Sequence, residues 1–74
     1  MTPEEAIDLI DEILARVYEL PDAGVDFGRS VQEKLESMAE WIDENQHVTP
    51  RQLKAIKNMG QGVERWIERK EERP

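Results

Sequence analysis

Apolar residues recur at every third or fourth position along three stretches of this chain, and no other pattern in it is as regular. The first set is Ala6, Ile7, Ile10, Ile13, Leu14 and Val17. The second is Phe27, Val31, Leu35, Met38 and Ile42, and the third is Leu53, Ile56, Met59, Val63 and Ile67. That period gathers each set on one face of an α-helix. No stretch alternates apolar and polar residues as a half-buried strand would. The chain is therefore expected to be all-α.

Two of the helices open alike. In "TPEE", Thr2 suits the N-cap, Pro3 the first helical position, and Glu5 the third, where it completes a capping box. In "TPRQ", Thr49, Pro50 and Gln52 take the same places, with Val48 and Leu53 positioned as a hydrophobic staple. The stretch "PDAGVDFG" is a loop marked by Pro21, Gly24 and Gly28, with Asp26 or Ser30 as the cap of the following helix. Helices are expected at about residues 3–19, 27–45 and 50–70, with 71–74 as a frayed tail. The economical fold is one domain, residues 1–74, forming a small three-helix bundle in which helices 2 and 3 make a helical hairpin.

Size limits the core. A chain of 74 residues without cysteine has no disulfide to hold it, so stability must come from tight helix packing or from a partner chain. Gly60 and Gly62 each cost helix 3 about 1 kcal/mol relative to alanine. Gly60 lies on the apolar side, where it favours close helix contact. Gly62 lies off the stripe, as a kink or a partner's approach would require. No apolar run approaches a membrane span, and the acidic N-terminus is unlike a signal peptide, so the chain reads as a soluble cytoplasmic protein.

Charge is unevenly spread. Residues 1–47 carry 13 Asp/Glu against 3 Lys/Arg, whereas residues 48–74 carry 4 against 7. A net charge of −7 disfavours general nucleic-acid binding, which depends on neutralising phosphates. The outward face of helix 3 nevertheless carries Arg51, Lys54, Asn58, Gln61, Arg65 and Arg69 with no acid among them. Helix 1 turns outward Glu4, Glu5, Asp8, Asp11, Glu12 and Glu19, and helix 2 turns outward Glu33, Glu36, Glu40, Asp43 and Glu44. Charged faces commonly serve solubility alone. An acid-free stripe in an acidic protein is the better recognition candidate. Trp41 and Trp66 sit at the edges of their stripes, where each can cap the core or anchor a partner.

Catalytic signals are poor. His47 is the only histidine and has no nucleophile near it in sequence. The carboxylates lack a Glu-x-x-His motif, Asp22 and Asp26 do not form a calcium-loop ladder, and no glycine-rich phosphate motif is present. The chain is expected to have no enzymatic activity, cofactor or metal.

The stretch from Phe27 to Trp66 resembles a small helical module of bacteriophage and phage-like proteins. In that module an aromatic-x-x-Ser helix is followed by a Val/Leu-Thr-x-x-Gln turn and a second amphipathic helix. Phe27, Ser30, Val31, Leu35, Val48, Thr49, Gln52, Leu53 and Ile56 carry the likeness. It implies a structural role for these residues and a setting in replication or recombination proteins, commonly beside a zinc ribbon, for which this chain has no cysteines. The leading expectation is a phage-encoded module that binds a protein partner through helix 3 and the helix 2 edge, using Trp41, Trp66 and the basic stripe. The alternatives are an acidic DNA mimic presenting Glu33, Glu36, Glu40, Asp43 and Glu44 to a host-defence protein, and nucleic-acid binding through helix 3. The opposed faces also suit a homodimer.

Overall fold

The computed structural model describes the backbone of residues 1–72 and the side chains of residues 1–69. Three helices, α1 (Pro3–Val17), α2 (Val25–Asn45) and α3 (Pro50–Glu72), run up, down and up. A 3₁₀ turn at Asp22–Gly24 joins the first two, and no strand occurs among the described residues. The molecule is a three-helix bundle measuring 45 × 19 × 17 Å.

Both repeated openings form capping boxes. The Thr2 hydroxyl accepts from the Glu5 N–H and the Glu5 carboxylate accepts from the Thr2 N–H, each at 3.2 Å. At α3 the Thr49 hydroxyl accepts from the Gln52 N–H at 3.0 Å, and the Gln52 amide oxygen accepts from the Thr49 N–H at 2.9 Å. Each box satisfies two N–H groups that a helix start leaves without partners. The second box is partly buried and the first exposed.

Helix limits differ from the expected ones at three places. α1 stops at Val17 rather than residue 19, because the Glu19 and Leu20 N–H groups bond three residues back, to Arg16 and Val17. That tightened end leads into Pro21 and the 3₁₀ turn. α2 begins at Val25, two residues before the expected start, and neither Asp26 nor Ser30 caps it. Gly24 occupies the N-cap and makes no side-chain bond, the turn passing straight into the helix. α3 continues through Glu72, so positions 71–72 of the expected tail are helical, while 73–74 lie outside the described residues.

The core takes three residues from each helix: Ala6, Ile10 and Ile13; Val31, Leu35 and Ile42; Ile56, Val63 and Ile67. Phe27, Met38 and Met59 of the apolar stripes are half-buried around it. Among the described residues no polar or charged one is buried, so the core needs no internal hydrogen bonds.

The two glycines of α3 set the helix spacing. A Cβ added at Gly60 would lie 3.0 Å from Ile13 Cδ1, so α1 packs closely there. Gly62 was the position expected to mark a kink or an outside partner. The Phe27 ring of α2 fills that space instead, 2.7 Å from where a Cβ would be. A helix face off the main stripe can still meet a neighbour when two helices flank it.

These contacts define the alignment. Ile13 sits against Gly60 and Arg16 against Glu64, so α1 and α3 are parallel and begin at the same level. Gly24 and Phe27 lie beside Trp66, and the link Gln46–Thr49 joins α2 to α3 at the other end. The α2–α3 hairpin is therefore antiparallel, rather than crossing steeply as in a helix-turn-helix.

Candidate functional site

All six outward residues of α3 are exposed: Arg51, Lys54, Asn58, Gln61, Arg65 and Arg69. The stripe runs about 27 Å along the helix at 1.5 Å per residue. The five α2 carboxylates, Glu33, Glu36, Glu40, Asp43 and Glu44, are exposed as well, and Gln32 donates to Glu36 at 3.2 Å.

The two tryptophans do not share one surface. Trp66 is half-buried: its ring centroid is 6.5 Å from that of Phe27, and its Cδ2 atom would be 3.3 Å from a Cβ at Gly24. The Arg69 guanidinium covers it, 5.5 Å from the ring centroid. A cation over an indole face is a stabilising arrangement, and here Trp66 closes the end of the core. Trp41 is 40% exposed and stands one turn before the end of α2, with the His47 ring 6.5 Å away. The Asn45 side chain donates to the Trp41 carbonyl at 2.8 Å, and the Gln46 side chain donates to Asp43 at 2.6 Å. These bonds satisfy carbonyls left free where α2 ends at left-handed Gln46, φ 50°. Trp41 therefore lies beside the first turn of α3 and Trp66 near its far end.

A second feature was not foreseen in the sequence. An open groove of about 850 Å³ lies between α1 and α3. Leu9, Ile13, Gly60 and Val63 form its floor, and Glu12, Arg16, Lys57, Gln61, Glu64 and Glu68 stand among its walls. The Arg16 guanidinium lies 3.2 Å from Glu64 across it and 3.3 Å from Glu19, two residues beyond the end of its own helix. All three side chains are more than 40% exposed, so each pair contributes only about 0–1 kcal/mol. Arg16 Nε is out of solvent and is not aligned to hydrogen-bond Glu19 despite the short distance. Lys57, Glu64 and Glu68 had a signal in the sequence: with Lys54 and Gln61 they follow the 3-4-3-4 spacing of a single helix face.

Among the described residues, no three His, Cys, Asp or Glu side chains come together as a metal site. No described helix is long and apolar enough to cross a membrane. Set against protein-family models, curated proteins and solved structures, the chain matches none of them, so its site is read from its own geometry.

Proposed function

We propose that this chain is a small non-catalytic module that binds a protein partner through the outward face of α3, with Trp41 as an anchor at the α2 edge. The observation that carries this reading is the stripe from Arg51 to Arg69, fully exposed and free of acid on a chain of net charge −7. A solvated face needs no such sorting of charge, whereas an acidic partner surface is complementary to it. Trp41 supplies the exposed aromatic area that interfaces favour, and Arg51 lies in the adjoining turn. The module acts in the cytoplasm. The pattern of residues 27–66 supports a phage origin.

The test compares capture of partners from the native host by the wild type and by Arg51→Glu combined with Arg65→Glu. The reversed protein is expected to lose the partner while keeping its helical melt. Unchanged capture would overturn the reading.

The exposed α2 carboxylates favour a second reading, mimicry of DNA toward a basic host protein. In that case Glu33→Lys, Glu36→Lys and Glu40→Lys together abolish capture and the basic-stripe reversal leaves it intact.

A further inference from the structure

The side chains flanking the α1–α3 groove carry a charge order that the isolated helix does not explain. Lys54, Lys57, Gln61, Glu64 and Glu68 fall on one exposed face of α3 at heptad spacing. The first two are basic and the last two acidic, so the sign of charge along these five reverses at Gln61, although Arg65 borders the groove as well. This order works against α3 itself. Lys54 and Lys57 are like-charged neighbours at i,i+3, as are Glu64 and Glu68 at i,i+4, and both spacings are repulsive on a helix. The order also opposes the helix dipole, which favours acids early and bases late. α1 obeys that preference, with Glu4 and Glu5 in its first turn and Arg16 in its last, whereas α3 has no acid in its first turn. Among the described residues Lys54, Lys57 and Glu68 have no ion-pair partner.

We propose that the groove is the interface of an antiparallel two-fold homodimer whose axis crosses α3 at Gln61. A second copy turned about that axis sets Lys54 against the other copy's Glu68 and Lys57 against its Glu64. The reciprocal pairs form at the same time, as a two-fold interface requires. Like-charge neighbours within each chain then become opposite-charge neighbours between chains. The α1 wall obeys the same axis. Ile13 packs on Gly60, so Leu14 stands level with Gln61, and Glu12 of one copy meets Arg16 of the other about that level. Glu64 is 53% exposed despite its contact with Arg16, which leaves it open to a second cation. Ile13 and Val63 are already buried within one chain, so the apolar surface that exposed ion pairs alone do not provide comes from Leu9, Ala15 and Gly60 of the groove lining. Of the outward residues, Arg51, Asn58 and Arg69 lie outside this interface while Lys54, Gln61 and Arg65 border it, and a second copy as occupant goes beyond the foreign-partner reading.

The experiment is sedimentation equilibrium of the wild type and of Lys54→Glu and Glu68→Lys, each alone, combined in one chain, and mixed as two singly changed chains. The wild type is expected to dimerise at low salt and to weaken as salt rises. Each single reversal makes two of the four pairs repulsive and weakens its homodimer about tenfold or more. Both the doubly changed chain and the one-to-one mixture regain affinity, because each restores an opposite charge at every pair. Arg51→Glu leaves the dimer intact, which separates this result from loss of a foreign partner. A wild type that stays monomeric at high concentration and low salt would overturn the proposal, as would single reversals that dimerise normally or a mixture no tighter than its components.

Discussion

At the scale of the residue, Gly60 and Gly62 have the same intrinsic cost and different surroundings. Alanine at either position gains about 1 kcal/mol of helix propensity. At Gly60 the new methyl meets only Ile13, at 3.0 Å from Cδ1 and 3.3 Å from Cγ1, and a shift of a few tenths of an ångström in that side chain relieves it. At Gly62 it meets the Phe27 ring at 2.7 Å, and that ring also has the Trp66 ring beside it, centroids 6.5 Å apart. Gly60→Ala should therefore fall within about 0.5 kcal/mol of wild type, the propensity gain offsetting the crowding. Gly62→Ala should lose about 1 kcal/mol, crowding exceeding propensity. Urea midpoints of the two variants check this, and a Gly62→Ala protein more stable than wild type would show that the ring is not confined.

At the scale of the element, the capping boxes make two distinct predictions. The α3 box is partly buried, so removing the Thr49 hydroxyl leaves the Gln52 N–H with little access to water. Thr49→Ala should cost about 1 kcal/mol, read from a urea melt. The α1 box is exposed and its signature is electrostatic. Hydrogen bonds from the Thr2 backbone and side chain hold the Glu5 carboxyl below its ordinary value of 4.5. The unfolded chain then binds more protons than the folded one. The stability this group adds is complete above that ordinary value and is lost as pH falls through the lower folded-state value. Glu5→Gln keeps a hydrogen-bonding side chain but cannot titrate. Its stability should vary less steeply with pH than the wild type across the acid limb, as denaturant midpoints at successive pH values would show. Curves of equal slope would mean that Glu5 does not sense the fold.

At the scale of the whole molecule, the core among the described residues is nine aliphatic side chains with no polar residue buried among them. A chain this short keeps a large share of its surface in water, so its stability is marginal. Covering the α1–α3 groove with a second copy would enlarge the apolar interior without adding chain. Dimerisation linked to folding makes the melting temperature depend on protein concentration. In low salt it should rise with concentration for the wild type and stay level for Lys54→Glu. Arg51, Asn58 and Arg69 of the outward stripe stay clear of the groove in that dimer, whereas Lys54, Gln61 and Arg65 border the interface, so self-association and partner binding share part of one face.

Local chemistry was enough to place the three helices and both threonine caps. Thr-Pro openings, apolar spacing and glycine or proline breaks act within one or two turns, where sequence distance equals spatial distance. The exposure of Arg51, Lys54, Asn58, Gln61, Arg65 and Arg69 followed from the same period, because a face opposite the core has no neighbour in a three-helix bundle. Positions to either side of the core stripe were decided only by tertiary packing. Trp41 and Trp66 lie at similar angles on their helices, yet one faces solvent and the other closes against Gly24, Phe27 and Arg69. Gly62 took its neighbour from α2, and the groove arose from the level alignment of α1 with α3. The helical period specifies which face a residue occupies. Which helix meets that face, and at what height, is specified only when three helices settle around one shared core.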